Sequence, residues 1–224
     1  YAPANYHQIL LSHLRDFDIH LNFEIKFTSL SGNDPARILD DKFVTVTAFP
    51  LKHRIEAYGF LFREKPGLRK IIKESIDRFE IPTAKIPSIK KGEAFITKAG
   101  TIIKNEDITL PPSDPLSYAY CSDTMYFDRL AGFIKNVSVL YHEATFDKSL
   151  DDLAKFTFHS TTSDAANTAN RANAGALIIG HFSARYKDIN PLLEEARAIF
   201  PNTFPAIDGA TYDISELSSR KIKE

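Results

Sequence analysis

The chain of 224 residues holds a single cysteine, Cys121, and a single methionine, Met125. One cysteine excludes an internal disulfide framework and any cysteine-rich zinc site, so a metal here would need histidine, aspartate and glutamate. No apolar run approaches the roughly 18 residues that cross a bilayer, and the first residues lack a basic-then-apolar signal pattern. The expectation is a protein without a membrane partner, working in the cytoplasm. With Met125 the sole methionine, Tyr1 is not expected to be a natural translation start, and the chain reads as a fragment. What is present, 43% hydrophobic and 25% charged residues, is an ordinary globular composition.

The formal net charge of −1 argues neither for nor against nucleic acid, but its distribution is uneven. From Phe60 to Lys104 eleven lysines and arginines face five acids. This basic stretch on an otherwise acidic chain fits either a solvated helix face with an exposed loop or an arm that contacts phosphates. Within it, Leu68, Ile71, Ile72, Ile76 and Phe79 predict one helical stripe over Gly67–Phe79. Pro66, Pro82, Pro87, Pro111, Pro112 and Pro115, with short β-like runs at Ala94–Thr97 and Thr101–Ile103, then predict an excursion from the core.

Around this segment the pattern is α/β. A helix is expected near Asn5–Phe17, then strands near Phe23–Leu30, Phe43–Phe49 and Ala57–Arg63. After Pro115, strands at Tyr118–Cys121, Val137–Tyr141, Ala176–Gly180 and Thr203–Ile207 alternate with helices at Asp128–Lys135, Lys148–Phe156, Ser163–Ala174 and Pro191–Phe200. Such alternation implies βαβ units. Asp208-Gly209 is expected to turn into a last strand, Ala210–Ile214.

Functional groups in open α/β sheets gather beyond the carboxyl ends of the strands. His53 follows Phe43–Phe49, Asp123 follows Tyr118–Cys121, His142-Glu143 follow Val137–Tyr141, His181 follows Ala176–Gly180, and Asp208 follows Thr203–Ile207. Imidazoles and carboxylates at such a rim are ligand types that zinc takes. Each residue alone also suits a blander role, a histidine satisfied by a backbone group or an aspartate capping a helix. Spacing alone therefore supports a metal site without defining it, since no compact motif such as H-E-x-x-H is present.

Five local segments, in order, resemble the ribonuclease Z family of the metallo-β-lactamase superfamily. They are Phe49-Pro50-Leu51-Lys52-His53 with Glu56-Ala57-Tyr58-Gly59-Phe60; Ser122-Asp123-Thr124; Tyr141-His142-Glu143-Ala144-Thr145-Phe146; Phe158-His159-Ser160-Thr161-Thr162; and Gly180-His181-Phe182-Ser183-Ala184-Arg185-Tyr186. The resemblance implies an αββα metallo-β-lactamase sandwich over residues 1–224, incomplete at its N-terminus, with an inserted helix-plus-loop arm over about 66–115. It implies a zinc-dependent endoribonuclease that removes 3′ trailers from precursor tRNA and works as a homodimer, with two Zn²⁺ per complete subunit. Its implied metal ligands are His53, Asp123 and His181. His159 and Glu143 would be the catalytic pair that protonates the leaving oxygen, and Arg185 would hold the scissile phosphate. Lys85, Lys90 and Lys91 would contact RNA from the arm.

The chain departs from the family pattern in three places. His-x-His-x-Asp-His, which supplies the remaining ligands, is absent from these residues, so the chain alone is expected to hold an incomplete site and to be inactive. Ile81-Pro82-Thr83-Ala84-Lys85-Ile86-Pro87 lacks the Gly-Pro pair often found near the arm's tip, and Ser122 replaces the usual glycine. Two other readings stay open: a general phosphodiesterase of the same superfamily, and a non-catalytic RNA-binding fragment.

Overall fold

The computed structural model describes residues 1–219. The chain divides into two compact units, one formed by residues 1–63 and 116–224 and the other by residues 64–115.

The larger unit is built on a seven-stranded sheet of β1 (Ala36–Asp40), β2 (Val44–Leu51), β3 (Ala57–Glu64), β4 (Ser117–Cys121), β5 (Val139–Glu143), β6 (Ala176–Gly180) and β7 (Thr203–Pro205). Their spatial order is β7-β6-β5-β4-β3-β2-β1, so every strand lies beside its sequence neighbours. Strands β4 to β7 run parallel. Strand β4 is antiparallel to β3, and β1 to β2. The parallel half needs crossovers, which α1 (Tyr6–Asp16) precedes and which α2 (Leu130–Phe133), α3 (Asp151–Thr157), α4 (Thr162–Ala172) and α5 (Asn190–Ile199) supply.

One face of the sheet carries the principal core. Leu140, Leu177 and Ile179 pack there with Leu130, Ile134 and Leu193, and with Ala165, Ala166, Ala169 and Ala172 of α4. Four alanines on one stripe let the helix lie close to the strands. A capping box holds its start: the Thr161 hydroxyl accepts from the Asp164 amide, and the Asp164 carboxylate accepts from the Thr161 amide. The opposite face presents Val139, Ile178, Tyr118, Tyr141 and Phe204, with Tyr212, Ile214 and Leu217 packed against them. Phe62 and Tyr120 on that face remain partly open to solvent.

In the larger unit the sequence pattern and the structure differ chiefly in four places. Ala210–Ile214 is no strand; the Asp213 carboxylate accepts the amides of Ser215 and Glu216 and starts a helix, α6 (Ile214–Ser219). Only Ser29–Leu30 of Phe23–Leu30 is extended and paired, with Ala2–Pro3. The helix after Pro115 shortens to α2. Strand β1, whose residues alternate poorly in hydrophobicity, was not legible at all.

The smaller unit has a core of its own. Ile81, Ile89, Phe95 and Ile108 are buried, with Ile71, Ile76, Phe79, Ile86 and Ile103 packed on them. The helix expected over Gly67–Phe79 is confined to Lys73–Arg78, because Lys70–Ile71 pair with Thr109–Leu110 and the Arg69 guanidinium donates to the Thr109 hydroxyl at 2.7 Å. Long-range pairing overrides the helical period there. Phe95–Ile96 and Ile102–Ile103 form a second small antiparallel pair.

Candidate metal centre and catalytic dyad

Four strand ends and one helix end bring the polar residues together. Asp123 lies two residues beyond β4, Glu143 closes β5, His181 follows β6, and His53 follows β2. His159 comes from the end of α3, where Phe158 adopts the left-handed conformation (φ 62°) and the His159 amide bonds back to the Ala154 carbonyl, stopping the helix. His181 is left-handed as well (φ 61°). Two non-glycine residues in this region at one rim are the kind of local strain that a surrounding network must hold in place.

Glu143 is the centre of that network. Fully buried, its carboxylate accepts four hydrogen bonds: Oε1 from the Thr124 amide at 3.0 Å and from His159 Nδ1 at 2.8 Å, Oε2 from the Thr145 amide at 3.1 Å and the Thr145 hydroxyl at 2.7 Å. Burial alone would raise its pKa, but these donors together outweigh burial and hold it below the usual carboxylate value, so it stays ionised. The hydrogen bond to Glu143 raises the pKa of His159, against the opposing effect of partial burial. A carboxylate and an imidazole placed in this way form a dyad in which His159 Nδ1–H is held and Nε2 is left to exchange a proton.

The other groups surround this dyad. His181 Nε2 lies 3.4 Å from Asp123 Oδ1. Ligating atoms of His53, Asp123 and His159 all fall within 4.8 Å of one another, as do those of Glu143, His159 and His181. The His159 ring stands between the other two imidazoles, its centroid 5.1 Å from that of His53 and 5.3 Å from that of His181. His53 Nδ1 bonds the Phe158 carbonyl at 2.9 Å; since a carbonyl only accepts, Nδ1 is the donor, and in the neutral ring Nε2 is then the nitrogen with the lone pair. An imidazole fixed by a backbone carbonyl, with the other nitrogen unprotonated, is the usual state of a metal-bound histidine. Imidazoles and carboxylates are donors that zinc takes, and both groupings include His159, whereas among the described residues His53, Asp123 and His181 do not form one such group of three by themselves.

Of the remaining sequence candidates, Arg185 is exposed at the same loop, its Nε donating to Ser183 Oγ at 3.1 Å and its guanidinium 5.0 Å from the centroid of the Phe146 ring. Lys85 and Lys91 are exposed and Lys90 half-buried, all in the smaller unit. His142, adjacent to Glu143, turns to the helix side, where Nδ1 donates to the Glu143 carbonyl at 2.6 Å and Nε2 is buried without a hydrogen-bond partner among the described residues. Residues that sequence reasoning left without a role are Thr124, Thr145 and Ser160, which donate to Glu143 or to the backbone around it. No spacing rule points to them: Thr124 and Ser160 find their partners on other segments, and Thr145, two residues from Glu143, also meets His181 from the next strand end.

No protein-family model matches the chain. Among curated proteins it is 38% identical over 221 residues to a ribonuclease Z of Bacteroides thetaiotaomicron, covering 99% of this chain and 70% of that one. A ribonuclease Z of Porphyromonas gingivalis is 38% identical over 214 residues, covering 96% and 70%. Among solved structures, the short form of human tRNase Z superposes with a TM-score of 0.56 at 20% identity, over 83% of this chain and 60% of that one. The metallo-β-lactamase fold protein YhfI from Bacillus subtilis superposes with a TM-score of 0.55 at 16% identity, over 90% and 62%. The fold is thus that of the metallo-β-lactamases, and the identity over nearly the whole chain makes this protein a member of the ribonuclease Z family.

Proposed function

We propose that this chain carries one side of the active site of a zinc-dependent endoribonuclease that removes 3′ trailers from precursor tRNA. The observation that carries the reading is the buried, ionised Glu143 hydrogen-bonded to His159 beside the Asp123–His181 pair. His53, Asp123 and His181 are the residues that would hold metal. The chemistry such ions supply is Lewis acidity, which acidifies water and offsets charge on phosphoryl oxygens. The chain's own residues account for the remainder. Glu143 holds His159 by Nδ1 and favours its protonated form, so Nε2–H can be given to the leaving 3′ oxygen. Arg185, stacked on Phe146, offers a planar guanidinium to a phosphate at the rim. Lys85, Lys90 and Lys91 on the smaller unit add sequence-independent attraction to an RNA backbone. The homodimer and the cytoplasmic location belong to the same reading, and among the described residues no helix is long and apolar enough to cross a membrane.

The test is cleavage of a precursor tRNA by the full-length protein, with and without a zinc chelator, alongside His159→Ala. Loss of cleavage on chelation, restored by zinc, and a fall of roughly 10²- to 10⁴-fold in His159→Ala with zinc content retained are expected. Undiminished cleavage by His159→Ala would remove the dyad from the mechanism. Hydrolysis of a small phosphodiester without any cleavage of tRNA would favour a general phosphodiesterase.

A further inference from the structure

One hydroxyl of the site, that of Thr145, bridges Glu143 and His181. Thr145, buried within two residues of Glu143, has its Oγ1 2.7 Å from Glu143 Oε2 and 2.9 Å from His181 Nδ1. Its backbone is held on both sides: the amide donates to the same Glu143 Oε2 at 3.1 Å, and the carbonyl accepts from the Ser183 amide at 3.1 Å. The backbone from which the hydroxyl projects is therefore fixed between the two partners.

A hydroxyl has one proton to give. If it went to His181 Nδ1, the Thr145 oxygen would face an ionised carboxylate at 2.7 Å with no proton between them, a repulsive contact in a buried place. If it goes to Glu143, the carboxylate is satisfied and His181 Nδ1 must be the donor to Oγ1. Only the second assignment places a proton in both contacts of the Thr145 oxygen. His181 then carries a proton on Nδ1, so that in the neutral ring Nε2, the nitrogen that faces Asp123 at 3.4 Å, is the one with the lone pair.

We infer that Thr145 is a positioning residue: it passes the charge of Glu143 to His181 as a fixed tautomer, so that one buried carboxylate orients both His159 and the histidine facing Asp123. The chain of contacts runs Asp123, His181, Thr145, Glu143, His159 without a gap. His53 reaches the same tautomer through the Phe158 carbonyl. The two outer imidazoles are thus preset independently of each other, one by a backbone carbonyl and the other by a side-chain relay that a point substitution can break. The value of this arrangement for metal binding rests on the function proposed above, whereas the tautomer itself does not.

The experiment labels the histidines of this chain with ¹⁵N and reads the His181 tautomer from ring nitrogen shifts, at a pH of roughly 8 where an ordinary imidazole is neutral. His181→Asn assigns the signal. The wild-type chain should show Nδ1–H with Nε2 unprotonated. A predominant Nε2–H form overturns the inference without recourse to any variant. Thr145→Val, close in volume but without the hydroxyl, should lose the preference, and Thr145→Ser should recover it. If Thr145→Val does not fold, Thr145→Ala takes its place. A preference retained in a folded variant lacking the hydroxyl overturns the relay. Zinc titration of the same proteins gives the second readout: affinity should fall about 10- to 100-fold in Thr145→Val and return in Thr145→Ser. A tautomer that changes while zinc affinity does not supports the relay and removes His181 from the metal centre. That outcome would count against the proposed function and not against Thr145.

Discussion

The two units of this chain use polar residues in opposite ways. In the larger unit, Thr124, His142, Glu143 and Thr145 at or just beyond strand ends, and Ser160, Thr161, Thr162, Ser163 and Thr168 just before or within α4, are buried. In the smaller unit the buried polar side chains among the described residues are Ser75 and Thr109, and the charged groups sit outside, as in the exposed Lys98–Glu80 pair at 2.9 Å. Buried polar networks are costly unless every member is satisfied, and they define a unique arrangement when it is. Surface charge defines little geometry but acts at a distance on a polyanion. The contrast separates a region built for placing a few atoms from one built for presenting charge.

The strongest way to break this comparison is to remove a residue on which geometry depends. Asp123→Asn in the full-length protein should lower precursor cleavage by 10³-fold or more, on the order of the loss expected when a ligand to a catalytic metal is withdrawn, and should reduce zinc content measured by metal analysis. Retained zinc and activity would show that Asp123 is not at the centre. Glu143→Gln should follow, with cleavage down roughly 10²- to 10³-fold through His159, because a neutral amide does not favour the imidazolium. The same change should cost about 1–3 kcal/mol in chemical denaturation, since an amide cannot accept all four hydrogen bonds that Glu143 now takes. Unchanged stability would mean that the network is looser than its distances.

Replacing residues 64–115 by a two-residue turn tests the other side. Arg63 and Ser117 are direct partners across β3 and β4, so a tight turn can close the gap. The larger unit should stay folded, KM for precursor tRNA should rise by about tenfold or more, the salt dependence of binding should flatten, and a small phosphodiester should still be hydrolysed. Unfolding of the remainder would show that the smaller unit is needed as structure. A quieter test concerns Ile89, fully buried in the small core: Ile89→Ala should cost about 2–5 kcal/mol locally, seen as faster amide exchange in residues 64–115 with Glu143 and its neighbours unaffected. The smallest effect is expected from Thr161→Ala, about 1 kcal/mol, since it removes one half of a capping box.

Sequence alone determined the regular parts and the candidates. Parallel strands buried on both sides read as apolar runs, so Ala176–Gly180 was legible to the residue, and the alanine stripe of α4 announced its packing face. The rule that function gathers beyond strand ends singled out His53, Asp123, Glu143 and His181, together with His142 and Asp208, which join neither grouping of metal-ligating side chains, and resemblance alone added His159. What only the tertiary structure decided was which atoms meet. Whether Gly67–Phe79 becomes helix depends on Thr109 and Leu110 some forty residues away. Whether Ala210–Ile214 becomes a strand depends on one carboxylate capping the next helix. That Glu143 stays charged when buried depends on Thr124 and His159 from distant segments as well as on Thr145, and that Thr145 also meets His181 depends on the next strand; a linear pattern holds no record of partners brought together across a sheet.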